Sequence, residues 1–259
     1  MITAKNVSVF FGDKRVLNKV SLTIPDKGVV GIVGPNGSGK TTLLRTLYNS
    51  LTPNSGDVSM DGKALDSFNR KALAKKLAVV VQEHSSDMPM SVAEMVMLGR
   101  LPHQGVSGQP RKEDMEIVAD VLKRVGLIRK ATQDYLLLSG GERQRALIAR
   151  ALAQQSEHIL LDEPTNHLDI YYQHEVLALV SQLNTSATVV LHDLNLAAKY
   201  CDLVAVMQDG VIKAKGAPAD VFTPEVLEPV YRIKVNRVDV EGEINLLFSR
   251  DVGKKSVRF

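Results

Sequence analysis

Apolar and polar positions alternate from Ile2 to Val9 and again from Val20 to Ile24, the period of strands with one buried and one solvated face. The run Val29-Val30-Gly31-Ile32-Val33 has no polar position and predicts a strand buried on both faces. Leu77 to Val81, Ile159 to Leu161 and Val189 to Leu191 have the same character, and each closes on polar side chains: Gln82, Asp162 with Glu163, and His192. Ligands of open α/β sheets gather at the carboxyl ends of the strands, so these four residues are expected to converge on one site.

Helical spacing takes over between and after these runs. Residues 40–50 place Leu43, Leu44 and Leu47 on one face, Pro53 to Gly56 ends that helix, and Asp61-Gly62 predicts a tight turn. Residues 86–152 read as an all-helical insert. Ser91-Val92-Ala93-Glu94 forms a capping box, Leu101 to Pro110 is rich in proline and glycine and predicts a loop, and Lys112 to Val125 is amphipathic up to Gly126. A further helix is expected from Gly140 to about Gln154. After His192 the pattern gives a helix to about Tyr200, and then a hairpin of Leu203–Met207 and Val211–Ala214 around Asp209-Gly210. Two short helices within Pro218 to Tyr231 and a closing strand pair over 235–248 complete the chain. The fold class is α/β, one domain over 1–259 with a helical subdomain at 86–152 and a C-terminal β extension and basic tail at 231–259.

Composition narrows the partners. With 259 residues, 44% of them hydrophobic, the chain can bury a substantial core, and a net charge of +3 gives no argument for nucleic acid. Lys254, Lys255 and Arg258 form the one local basic cluster, read as a solvated tail. Cys201 is the sole cysteine, which excludes an internal disulfide and suits a small core residue in a reducing compartment. No apolar stretch approaches the roughly 18 to 20 residues that span a bilayer, so a membrane role is expected to come through a partner.

The chemistry lies in two segments. Gly34-Pro35-Asn36-Gly37-Ser38-Gly39-Lys40-Thr41 fits the pattern in which backbone N–H groups wrap a triphosphate and a lysine reaches its outer phosphates. Its placement between a buried strand and a helix strengthens the match. Thr41 and Asp162 are the candidate ligands of Mg²⁺, and Glu163 is the candidate to polarise or deprotonate an attacking water. His192 is placed to hold a γ-phosphate or orient that water. Leu138-Ser139-Gly140-Gly141-Glu142-Arg143-Gln144 opens a second helix whose N-terminus attracts anions. One nucleotide needs one cradle, so Ser139, Gly140 and Gly141 are expected to close over the nucleotide of a second copy. His84, His103, His158, His167 and His174 lack metal-ligand spacing. Asp169 opens a helix, where it serves as a cap or as a dimer contact. His158 is expected at a strand start open to solvent.

The order of these motifs, with Ile159-Leu160-Leu161-Asp162-Glu163-Pro164 and Asn166-His167-Leu168-Asp169, resembles the nucleotide-binding subunits of ABC transporters over essentially the whole chain. The resemblance implies a P-loop NTPase with a RecA-like mixed sheet, an N-terminal antiparallel β subdomain and a helical insert, working as a head-to-tail dimer with ATP and Mg²⁺. It implies that Glu163 is the catalytic base, that His192 senses the γ-phosphate and that Gln82 links the metal to coupling. Phe11 stands where the family stacks an aromatic ring on adenine, more often tyrosine, and Thr42 closes the phosphate loop. Leu98-Gly99-Arg100-Leu101-Pro102-His103, Val190-Leu191-His192-Asp193-Leu194-Asn195 and Thr223-Pro224-Glu225 resemble the ATPases that energise uptake of iron-siderophore, haem and cobalamin chelates. That resemblance implies a peripheral place on the cytoplasmic face of the membrane, integral permease subunits and an extracytoplasmic substrate-binding protein. A soluble ABC ATPase serving DNA, ribosomes or cluster assembly is the alternative. Its usual long coiled-coil insertion or second ATPase domain has no counterpart here. A P-loop kinase would not need the 138–144 segment.

Overall fold

The computed structural model describes residues 1–81, 89–105, 109–166, 168–183 and 185–250. Gln82, His84 and His167 lie outside the described residues, as does the tail cluster of Lys254, Lys255 and Arg258.

Strands β1 (Ile2–Phe11) and β2 (Lys14–Ile24) form an antiparallel pair, followed by β3 (Gly28–Val33), helix α1 (Lys40–Leu47), β4 (Ser55–Met60), β5 (Lys63–Ala64), α2 (Arg70–Lys76) and β6 (Leu77–Val80). Between β6 and β7 (His158–Asp162), every described helix or strand is helical: α3 (Val92–Met97), α4 (Lys112–Arg124), α5 (Gly140–Ala153) and short 3₁₀ turns. The chain then runs through α6 (Ile170–Ser181), β8 (Ser186–Val190), α7 (Leu194–Tyr200), β9 (Leu203–Gln208), β10 (Val211–Gly216), α8 (Pro218–Val221), α9 (Pro224–Tyr231), β11 (Lys234–Val240) and β12 (Glu243–Ser249).

Six strands in the order β10-β9-β3-β8-β7-β6 make the central sheet, parallel except for the antiparallel edge strand β10. Consecutive side chains of a strand leave on opposite faces, and the core divides accordingly. Val29 and Val33 of β3, Ile159 and Leu161 of β7, and Ala187 and Val189 of β8 join one apolar cluster with α3 to α7. Val30, Ile32, Leu160 and Val190 face the other way, onto Leu43, Leu44 and Leu47 of α1 and the four-stranded sheet β2-β1-β4-β5. Helix α1 is thereby held between two sheets, and the phosphate loop that precedes it is fixed on both sides. Burial of Leu43, Leu44 and Leu47 contributes about 2 kcal/mol each by transfer area.

Several details differ from the sequence reading. Helix α1 stops at Leu47, and Ser55 and Gly56 already belong to β4. The strand expected to reach Val81 ends at Val80. Residues expected to start the loop at Leu101 are the end of a 3₁₀ turn, Leu98–His103. Helix α2 carried too little apolar periodicity to be foreseen, and no side chain in it is fully buried. His158 is not open to solvent: it is 1% exposed, with Nε2 3.4 Å from the Met1 amine and Nδ1 without a partner among the described residues. Burial first, and the neighbouring amine second, hold its pKa below the ordinary imidazole value.

Candidate functional site

The loop between β3 and α1 is shaped by backbone that only glycine accepts easily. Gly34 has φ 152°, and a Cβ there would lie 2.2 Å from the Met207 carbonyl oxygen; Gly39 has φ 100° and would meet the Leu17 side chain at 2.8 Å. The β9–β10 turn supports the loop from below, since Gly210 donates its N–H to the Ser38 carbonyl at 3.1 Å. The loop borders a cleft of about 560 Å³ lined by Asn36, Gly37, Gly39, Lys40, Thr41 and Thr42, with Phe11 and Glu163 also in the lining. Lys14, Arg15, Val16 and the Asp209-Gly210 turn complete the lining; the turn was expected only as a hairpin turn, and the other three were not singled out from the sequence. Phe11 is 51% exposed.

Charge in this cleft is unevenly solvated. The Lys40 ammonium donates to the carbonyls of Gly34 at 2.9 Å and Pro35 at 3.2 Å. Burial lowers its pKa, while Glu163 and Asp162 act in the opposite direction. Thr41 donates its hydroxyl to Asp162 Oδ1 at 3.2 Å. Desolvation is the main reason that the Asp162 carboxyl is raised above its usual range. Two hard oxygen donors side by side, one a carboxylate that gains from a positive neighbour, fit a magnesium ion.

Glu163 is the first residue after β7 and has φ 51°, a left-handed conformation uncommon for a residue with a side chain. Glu163 Oε1 lies 2.6 Å from His192 Nε2, and Oε2 accepts from the Asn166 side-chain amide. Asn166 is thus a second partner of this carboxylate that sequence reasoning quoted only as part of a motif. His192 follows β8 and is anchored upstream by the Leu191 N–H to Ile32 carbonyl bond of 3.1 Å.

Of the residues expected at the strand ends, the structure therefore brings Asp162, Glu163 and His192 around the phosphate loop. Ser139, Gly140 and Gly141 stand apart from this lining, at the start of α5. Ser139 caps that helix by accepting from the Glu142 N–H at 3.4 Å, and the Glu142 carboxylate accepts in return from the Ser139 N–H at 3.1 Å. Gly141 faces the Tyr172 ring, where an added Cβ would come within 3.3 Å. Asp169 occupies the N-cap position of α6 and makes no capping side-chain bond among the described residues.

The family model described as ABC transporter matches residues 17–166, which carry the phosphate loop, the Ser139 helix start and the Asp162-Glu163 pair. The chain belongs to the ABC transporter family. It is 38% identical over 242 residues to the ferric enterobactin transport ATP-binding protein FepC of Escherichia coli (strain K12), covering 92% of this chain and 89% of the relative. Similarity to the hemin import ATP-binding protein HmuV of Pseudomonas fluorescens (strain Pf0-1) is 42% over 243 residues, 91% and 94% of the two chains. Among solved structures, the ATP-binding cassette MJ0796, a dimer in a post-hydrolysis state bound to ADP and Pi, superposes with a TM-score of 0.74 at 29% identity, over 84% of this chain and 99% of that one. The fold is also that of a metal-chelate type ABC transporter chain, with a TM-score of 0.82 at 24% identity over 96% of both chains. This ABC-family chain is an ATPase, and its nucleotide is ATP.

Proposed function

We propose that this ATPase powers the uptake of a metal chelate through a membrane permease, an iron-siderophore complex first, haem next and cobalamin third. The observation that carries the reading is similarity of 34–42% over about nine-tenths of the chain to proteins named for siderophore and hemin import. Among the described residues no helix is long and apolar enough to cross a membrane. By its likeness to import ATP-binding proteins, the chain sits in this reading at the cytoplasmic face against integral permease subunits, supplied from outside by a substrate-binding protein. The 86–152 region is its helical subdomain and carries the surface that meets the permease. Residues 231–259 are a C-terminal β extension with a basic tail.

In this reading ATP lies along the loop of Gly34 to Thr42, adenine against Phe11 and the outer phosphates at Lys40. Thr41, Asp162 and Gln82 would hold Mg²⁺, which neutralises phosphate charge. Two copies associate head to tail, and Ser139, Gly140 and Gly141 of each present N–H groups to the phosphates bound by the other. Glu163 takes the proton of the attacking water, while His192 orients that water and reports on the γ-phosphate. Most of the rate comes from pre-set positive potential at the transferring phosphoryl group, from Lys40 and the two helix N-termini.

Reconstitution with its cognate permease in proteoliposomes, supplied in turn with ferric siderophore, hemin and cobalamin, tests the reading. ATP-dependent accumulation of one chelate is expected. Tight ATP turnover with no accumulation of any of the three would remove the chelate assignment and leave the ATPase intact.

A further inference from the structure

The sequence His192-Asp193-Leu194-Asn195 contains an asparagine that the reaction as described does not use. Its side chain makes a two-point bond to one residue of β12: Nδ2 donates to the Leu246 carbonyl at 3.2 Å, and Oδ1 accepts the Leu246 N–H at 2.7 Å. Leu246 stands opposite Arg237 of β11, yet both its backbone groups are taken from the other side, so they point away from β11. The Asn195 amide therefore acts as one peptide unit of a third strand and closes the edge of the hairpin. The contact is part-buried and falls midway along β12, where Leu246 itself is 2% exposed. A second link lies one turn further along α7, where Lys199 Nζ meets Glu243 Oε1 at 2.8 Å.

This clamp falls on the first turn of α7. Asp193 caps the same turn, its Oδ1 accepting from the N–H groups of Asn195 at 2.7 Å and Leu196 at 3.1 Å. His192 thus sits between two anchors, the Leu191–Ile32 bond to the sheet on one side and the α7 turn on the other. The sheet anchor is part of the fold's centre. The other depends on what holds α7: Leu194, Leu196 and Ala197 are packed in the core, His174 meets the Tyr200 hydroxyl at the far end of the helix, and the Asn195 amide ties the first turn to the hairpin.

We infer that Asn195 is a positioning residue for His192, and that the C-terminal hairpin holds α7 so that the imidazole meets Glu163. The inference rests on the proposed role of His192 in ATP turnover. Only asparagine offers a donor and an acceptor at this reach: aspartate keeps the shape but sets a second acceptor against the Leu246 carbonyl.

The test is steady-state ATP hydrolysis by the purified full-length chain, with Asn195→Asp, His192→Ala and the double variant. Asn195→Asp is expected to lower kcat about tenfold, as for a small misplacement of a reacting group, with the KM for ATP little changed. In the His192→Ala background the same substitution is expected to cost no further activity. Equal proportional losses in both backgrounds, or an unchanged kcat in Asn195→Asp, overturns the inference alone. Normal turnover by His192→Ala overturns the reading of His192, and this inference with it. Asn195→Ala, which adds no charge, gives the same comparison if the aspartate variant does not fold, and failure of both to fold assigns the residue to stability instead.

Discussion

Two acid–base pairs in this molecule look alike by distance and differ in everything else. Arg100 Nε and Asp114 Oδ1 are 2.8 Å apart with side chains 5% and 6% exposed; His192 Nε2 and Glu163 Oε1 are 2.6 Å apart with side chains 38% and 20% exposed. The first pair is enclosed by further bonds. Arg100 also donates to the Ala153 carbonyl at 2.7 Å and to Gln155 Oε1 at 2.9 Å, and Asp114 Oδ2 accepts the Arg111 N–H at 2.9 Å. The second pair sits on a left-handed residue at a strand end and borders the cleft beside the phosphate loop. A charge that is buried and fully bonded fixes a helical arrangement. One that is half-solvated on uncommon backbone is available to react.

The comparison breaks most readily at Glu163. Glu163→Gln is expected to retain ATP binding and to lose about 10²- to 10⁴-fold in turnover, as for removal of a general base. Equilibrium nucleotide binding and single-turnover hydrolysis measure the two separately, and near-normal hydrolysis would falsify the assigned base. Arg100→Ala should do the reverse. It leaves Asp114 as an uncompensated buried charge and is expected to cost about 3–5 kcal/mol of stability by denaturant titration. Turnover per folded molecule should change far less, and an unfolding midpoint equal to wild type would remove the distinction between the pairs.

The smallest effect is in acid. The Arg111 N–H first, and the Arg100 guanidinium second, hold the Asp114 carboxyl below its usual value of 3.8. A depressed carboxyl contributes stability that is fully present above the unfolded value and lost as pH falls through the folded one. Between pH 6 and pH 3 the unfolding midpoint of wild type should therefore fall more steeply than that of Asp114→Asn. Parallel curves would show that the carboxylate is not what these bonds hold.

The sequence made one of these pairs legible and hid the other. Glu163 and His192 stood out because buried strands end there, and a parallel sheet leaves its ligands at that edge. The phosphate loop was readable for a similar reason, since its glycines occur where a strand must turn sharply into a helix. Arg100 was visible only inside a segment quoted for its resemblance, because its partners lie 14 and 53 residues away and follow no period. Burial of His158 was missed for the same reason: Met1, which meets its Nε2, is 157 positions away. Nor could the contribution of Asn166 to Glu163 be read, as the bond depends on the conformation of the turn rather than on residue type.

The approach of Gly99 to α5 carries a mechanical consequence. A Cβ at Gly99 would lie 2.1 Å from the Arg150 carbonyl oxygen, so the 98–103 turn is seated directly on the backbone of the last turn of α5. Arg100 rivets the joint by holding the Ala153 carbonyl. Helix α5 is then a rod roughly 20 Å long at 1.5 Å per residue. Ser139 is at its tip, and the exposed Leu98 and Leu101 are fastened to its heel. A spin-label separation between positions 140 and 101 should hold constant when ATP is added, whatever else moves. A displacement of the Ser139 end would then reach the far surface with little loss, because at the closest approach of the joint Gly99 puts no side chain between the turn and the Arg150 carbonyl.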